Sequence, residues 1–182
     1  MSAPIELVDY DPTWPAKFDA EQKVLLSALR PWLFGPVEHV GSTAILGLRA
    51  KPVIDIMVAV ETLSLSRDAI VVLEGLGYHY WPYKADLMHW LCKPSDDFRT
   101  HHLHLVPWGS ALWKARLAFR DHLRTNASAA ADYVALKDEL ARKYRNDREA
   151  YTEGKTSFVE RIVERALQAG QNPPGLHRWV RG

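Results

Sequence analysis

A carboxylate set inside an apolar strand pattern is the first feature of this sequence that asks for a chemical explanation. Asp55 interrupts the β-branched run from Val53 to Val60, and strand alternation places Asp55 and Met57 on one face with Ile54, Ile56 and Val58 on the other. An ionised carboxylate in such a place costs several kcal/mol unless it is paired, hydrogen-bonded or holding a cation. Two readings follow: an ion pair with Lys51 or Arg49, or a functional acid in a cleft. Upstream, the string His39-Val40-Gly41-Ser42-Thr43 ends a strand on a Gly-Ser turn. Gly41 lets the backbone approach a ligand closely, and Ser42 sets a hydroxyl beside free backbone N–H groups, a combination suited to phosphate oxygens. As a bare turn, the same glycine would be chosen for its dihedral angles alone.

The run His101-His102-Leu103-His104-Leu105-Val106 is the second stretch with chemical content. On a strand, His102, His104 and Val106 share one face, so leucines turned to the core leave two imidazoles toward a cleft. With Asp55 on a neighbouring strand they form a two-His, one-carboxylate set able to hold a metal ion; otherwise they are cross-strand hydrogen-bonding histidines. Cations available to offset phosphate charge are Lys51, Arg99 and, from C-terminal helical segments, Lys137, Lys143, Arg148 and Lys155. Lys155 follows Tyr151-Thr152-Glu153-Gly154, whose glycine interrupts the helical pattern and can present the lysine to a phosphate. The single cysteine, Cys92, lies in the apolar run Met88 to Cys92 and reads as a buried structural thiol. Seven tryptophans are accounted for by core and interface packing rather than by a base-stacking platform.

The elements that must position these groups alternate in type. Asp11-Pro12-Thr13-Trp14-Pro15 reads as a turn, an N-cap at Thr13 and an early helical proline, followed by a helix carrying Phe18, Leu25 and Leu29 and ended by Pro31 and Gly35-Pro36. Strands are expected over Val37 to Val40 and Val53 to Val60, then a helix capped by Ser64 or Ser66, running through Ile70, Leu73 and Leu76 and closed at Gly77. Three further strands are expected over Tyr78 to Trp81, Leu87 to Cys92 and Thr100 to Val106, the last two joined across Pro94-Ser95-Asp96-Asp97. Beyond Trp108 the period becomes helical, with Leu112, Arg116, Phe119 and Leu123, then Tyr133, Leu136, Leu140 and Tyr144, and finally Phe158, Ile162, Val163 and Ala166.

The chain of 182 residues, 47% of them apolar, suits one domain over residues 1–169, with residues 170–182 as a loosely held tail around Pro173-Pro174-Gly175. With 23 basic and 22 acidic residues, the formal charge of +1 gives no footprint for duplex nucleic acid or an anionic membrane, so any anion site is local. No apolar run approaches the ~20 residues of a membrane span. Cysteine usage and the lack of a signal sequence point to the cytosol.

The string His39 to Thr43, the segment Gly47-Leu48 to Lys51-Pro52 to Ile54-Asp55-Ile56, the run His101 to His104, and Tyr151-Thr152 with Lys155 together resemble the GrpB family, over roughly Ile5 to Leu167. The resemblance implies an α/β (α+β) fold like that of the nucleotidyltransferases, with a mixed β-sheet, flanking helices and a C-terminal helical segment. In that superfamily a Gly-Ser turn precedes an Asp-x-Asp or Asp-x-Glu strand, and a later strand brings a third acid, for divalent metals. Here Asp55 matches the first position, Met57 stands at the second, and His102 or His104 lies where a third ligand is expected. The resemblance thus implies a protein that binds a nucleotide or phosphorylated small molecule, with Gly41, Ser42, Lys51, Arg99 and Lys155 at the phosphates. Asp55, His102 and His104 are the catalytic and metal-binding candidates, for magnesium, manganese or a transition metal. The implied activities are metal-dependent nucleotidyl transfer, a metal-dependent hydrolase, or a non-catalytic module supporting a coenzyme A biosynthesis enzyme, since similar domains are fused behind dephospho-CoA kinases.

Overall fold

The first helix, α1 (Trp14–Ala28), begins where Asp11 folds back on its own turn, accepting from the Thr13 backbone N–H at 2.8 Å and from the Thr13 hydroxyl at 2.6 Å through Oδ1. Thr13 makes no capping bond, so the acceptor expected of Thr13 is supplied by Asp11. The computed structural model describes residues 4–170; the segment 171–182, where most of the expected tail falls, lies outside them.

Five strands follow in chain order, β1 (Leu33–Val40), β2 (Ile54–Val60), β3 (His79–Trp81), β4 (His89–Pro94) and β5 (Arg99–Pro107). They form one sheet in the order β1-β2-β5-β4-β3, mixed because β2 and β5 run parallel while every other pairing is antiparallel. Strand β1 starts earlier than expected: it continues through Gly35-Pro36, where its register against β2 shifts between Leu33 and Val37. A proline lacks the N–H a regular ladder needs, and the irregularity accommodates it. Strand β4 is displaced toward Pro94, and helix α2 (Ala69–Gly75) starts after the expected serines. Ser66 is instead spent in a turn, its hydroxyl donating to the Thr62 carbonyl at 2.8 Å.

Period-two burial sorts the sheet into two faces. Ile54, Ile56 and Val58 of β2 and Leu103 and Leu105 of β5 meet Trp14, Phe18, Leu25 and Leu29 of α1 and Leu73 of α2. Met57 and Ala59 point the other way, joining Val40, Trp90, Cys92 and Val106 under Trp113 and Leu117 of α3 (Ala111–Thr125). Leu103, Leu105 and Ile56 are fully enclosed, each contributing ~1.5–3 kcal/mol of apolar burial. Cys92 is fully buried and burial raises its thiol pKa, as expected of a structural cysteine.

The C-terminal helices α4 (Ala127–Lys143), α5 (Arg148–Glu153) and α6 (Thr156–Gln168) close over α3. Phe119 and Leu123 of α3 pack with Tyr133 of α4 and with Phe158 and Ile162 of α6, and Ile45 and Leu48 join them from the loop before β2. Gly154 sits at the α5–α6 junction because a Cβ there would lie 2.6 Å from Leu140 Cδ2. Lys155, the next residue, lies with Nζ against the Tyr151 ring. No helix among the described residues is long and apolar enough to cross a membrane.

Candidate functional site

Parallel pairing of β2 with β5 puts Asp55 directly beside His102 and Met57 beside His104, all on the face covered by α3. The neighbour relation that sequence pattern alone leaves open is therefore a register contact. His102 Nδ1 donates to Asp55 Oδ1 at 2.9 Å, since a carboxylate oxygen can only accept. Among the described residues His102 Nε2 is buried and has no partner. His104 Nε2 stands 3.7 Å from the same oxygen, and both ring nitrogens of His104 are buried without a hydrogen bond among the described residues. Burial, with the nearby charge of Arg116, pushes the His104 pKa down to about 3, so it is neutral at physiological pH. Burial acts to raise the Asp55 pKa, but the hydrogen bond from His102, together with the His104 imidazole close by, prevails and holds the carboxyl well below the usual range.

Gly41 abuts this acid. Its φ of +71° is one that side chains disfavour, and a Cβ would collide with Asp55 Oδ2 and lie 2.9 Å from Asp55 Cβ and Cγ. The glycine thus makes room for the carboxylate, a role beyond the ligand approach expected of it. The one-turn helix Ser42–Ala44 follows, and among the described residues the N–H groups of Ser42 and Thr43 have no acceptor. Thr43 braces this turn: its hydroxyl donates to the Val53 carbonyl at 3.2 Å and so accepts from His39 Nε2 at 3.0 Å. His39 stacks on Phe18 and is driven to a pKa of about 4 by burial. The His39 to Thr43 string therefore contains two bracing residues around the half-buried Gly-Ser step.

One lysine reaches this turn, and two more meet at Tyr151. Lys137 of α4 is 2% exposed, donates to the Arg49 carbonyl, and points Nζ at Ser42 Oγ 3.4 Å away. Lys51 and Lys155 both lie against the Tyr151 ring, Nζ to centroid 5.6 and 4.1 Å, and among the described residues neither has an anion or hydrogen-bond acceptor. Burial lowers all three pKa values: Lys155 to about 7, with the charge of Lys51 adding to the effect, and Lys137 to about 8. Lys155 also occupies the N-cap position of α6, where its charge opposes the helix dipole.

Arg99 reaches this side of the fold with its charge engaged. It pairs with Asp96 and lies over the Trp90 ring at 4.9 Å, while Trp90 is 5.2 Å from His102. Arg148 clamps the same hairpin through the Asp96 and Asp97 carbonyls, each at 2.8 Å. Arg116 of α3, its guanidinium 3.6 Å from Met88 Sδ, acts on both Asp55 and His104. In the sequence it counts only toward helical periodicity; the available signal was a cation on the stripe shared with Leu112, Phe119 and Leu123. A separate open cavity of ≈ 1070 Å³ is lined by residues including Phe18, His39, Ile45, Arg120 and Arg124, and none of Asp55 and the three lysines borders it. Its arginines are occupied, Arg120 by Glu38 and Asp121 and Arg124 by the Ala44 carbonyl.

The donor set does not fit the divalent ions that the resemblance implies. Met57, at the second acid's position, is fully buried in the apolar cluster under α3, and Asp55 already spends Oδ1 on His102. Among the described residues no group of three or more His, Cys, Asp or Glu side chains could hold a metal ion. Magnesium needs several hard oxygen donors in near-octahedral array, and here one carboxylate stands with two imidazoles and a thioether.

Comparison with known proteins follows this geometry. Residues 4–165 match the family described as GrpB protein. A UPF0157 protein of Pseudomonas aeruginosa is 41% identical over 182 residues, covering 98% of this chain and 74% of its own. The crystal structure of conserved protein GrpB from Enterococcus faecalis superposes with a TM-score of 0.82 at 31% identity, covering 92% of this chain and all of that one. A Cid1 poly(U) polymerase structure superposes with a TM-score of 0.53 at 11% identity, over 74% of this chain and 44% of that one, a likeness of fold. Proteins named dephospho-CoA kinase also match, one from Mycolicibacterium paratuberculosis at 28% identity over 90% of this chain and 46% of its own length.

Proposed function

This chain belongs to the GrpB family, and from that premise we propose that it binds a nucleotide or another phosphorylated small molecule in the cleft between the Gly41–Ser42 turn and the α5–α6 junction. One observation carries the reading: Lys137 points its buried amine at Ser42, Lys51 and Lys155 share the Tyr151 ring, burial lowers the pKa of all three, and Lys51 and Lys155 have no counter-ion among the described residues. Burying cations without an anion costs stability, and a phosphate group supplies the missing charge and acceptors. The nucleotidyltransferase-like fold supports the nucleotide among phosphorylated ligands. The test is a calorimetric titration with nucleoside mono-, di- and triphosphates and phosphorylated coenzyme A precursors. Saturable binding that weakens in Lys155→Gln is expected; no binding by any of them overturns the reading.

The Asp55–His102 pair favours a catalytic version of the same site. With Nδ1–H held by Asp55, His102 Nε2 can take the proton of an acceptor hydroxyl as its oxygen attacks the α-phosphorus of a nucleoside triphosphate. The new bond is oxygen to phosphorus, pyrophosphate leaves, and Lys51 and Lys155 offset its charge. Pyrophosphate release that vanishes in His102→Gln while ligand affinity persists is the expected result; release unchanged in that variant refutes it. Without turnover, the family's matches to dephospho-CoA kinases favour a binding module that serves a coenzyme A biosynthesis enzyme.

A further inference from the structure

We propose that Lys51, Lys137 and Lys155 stand in for metal charge, so that the cleft takes a ligand with two or more adjacent phosphates and no divalent cation. This rests on the phosphate reading above and sharpens it in two respects, the ligand's charge and its counter-ion. The positive charge is built from side chains that the fold has fixed. Lys137 is enclosed by α4 and anchored to the Arg49 carbonyl, which aims its ammonium at Ser42. Lys51 precedes β2, and Lys155 follows the Gly154 junction; both meet the Tyr151 ring, so their amines lie no more than about 10 Å apart. With Lys137 at Ser42 and the Lys51–Lys155 pair at Tyr151, cations are offered at two places, which a chain of two or more phosphates can engage together.

The surroundings leave these amines unneutralised. The helix dipole of α6 repels a cation at Lys155 and welcomes an anion there. The Ser42 and Thr43 N–H groups, without acceptors among the described residues, add donors beside Lys137. Asp55, the acid beside them, is occupied by His102. Where a second metal-binding carboxylate would stand, Met57 is sealed in the core, and this loss of hard donors goes together with the gain of three amines. Charge that divalent ions would bring with the ligand is already in the protein.

Calorimetry with inorganic tripolyphosphate and with ATP, each in EDTA and in excess magnesium, tests the proposal on the full chain. The expected result is saturable binding in EDTA, weakened by magnesium because the metal competes for the phosphate oxygens. Lys51→Gln and Lys155→Gln should each reduce affinity at least about tenfold, as for loss of one charge-assisted contact, and Lys155→Arg should retain most of it, showing that charge matters and that folding is intact. ATP binding in EDTA without tripolyphosphate binding also supports metal-free recognition and adds the base to it. Binding that appears only with magnesium overturns the inference and leaves the nucleotide reading standing. Binding of neither probe in either buffer overturns both.

Discussion

Replacing Lys155 by methionine is expected to stabilise the ligand-free protein, the reverse of what loss of an ordinary side chain does. Burial brings the Lys155 ammonium from 10.5 down to about 7. At ~1.4 kcal/mol for each pH unit, this is ~5 kcal/mol of penalty on the charged form as an upper limit. The amine stays partly solvated at the cleft wall, which reduces the realised penalty to ~1–3 kcal/mol, and the lost contact with the Tyr151 ring takes back ~1 kcal/mol. A net gain of up to about 2 kcal/mol raises the melting temperature of a chain this size by as much as roughly 8 °C.

The pH dependence identifies the cause. Below pH 7 the amine is protonated in folded and unfolded chains alike, and the penalty is present in full. As pH rises from about 7 toward 10.5, the folded protein gives up its proton first, so native stability climbs toward that of the variant. Differential scanning fluorimetry near pH 6 and near pH 9.5 should therefore show a wide gap that narrows. Adding tripolyphosphate should reverse the ranking by binding the native cleft, worth about 2.7 kcal/mol at a hundredfold excess over Kd. A variant that melts at or below the native protein near pH 6, with no convergence at high pH, refutes the claim that Lys155 is held as an uncompensated cation.

Asp55→Asn should cost ~1.5–3 kcal/mol at neutral pH, because a charged acceptor of the His102 N–H is lost. Asp55 is ionised in the folded state below its ordinary range, so the difference should fade as acid protonates the native carboxyl; urea melts showing no difference at neutral pH contradict this. Gly41→Ala should lose ~2 kcal/mol or more, from the positive φ and the collision with Asp55, and a variant with an unchanged urea midpoint refutes that packing. Met57→Asp should unfold the protein or lower its melting temperature sharply instead of restoring a metal site, since it buries an unpaired charge among Val40, Trp113 and Leu117. A folded Met57→Asp protein that gains stability with magnesium would show the opposite.

Asp55 stood out in the sequence because one charge in a β-branched run breaks a strong local pattern, and the alternation that set it beside Met57 is retained in the fold. The Asp55–His102 contact was not legible, because which strands are neighbours depends on long-range packing: β5 inserts between β2 and β4. The start of α2 was misplaced because the Ser66 hydroxyl serves a turn toward Thr62, whereas α1 begins after Thr13 as the sequence reads, with Asp11 supplying the turn's side-chain acceptor. Lys137 shows the limit most clearly. On α4 it looks like one of many solvated charges, and only the closure of α5 and α6 over that helix turns it into a buried amine facing Ser42.

The residues of the proposed site have different origins in the chain, which lie within or between the sheet and the C-terminal helices. Asp55 and His102 stand on adjacent inner strands of the sheet, backed by fully buried Ile56 and Leu103, a support that holds a hydrogen-bonded pair to fixed geometry. The cations come from elsewhere: Lys51 from the loop before β2, Lys137 from α4, and Lys155 from a junction that reaches the sheet because Gly154 packs on Leu140 and Tyr151 buries itself with Ile5 and Leu140. Ile5 is tied in turn to the C-terminal half by its N–H to the Arg145 carbonyl at 2.7 Å. Sheet and helices therefore cannot be separated without dismantling the site: the strands alone keep the acid and its imidazole, and two of the three amines leave with the helices.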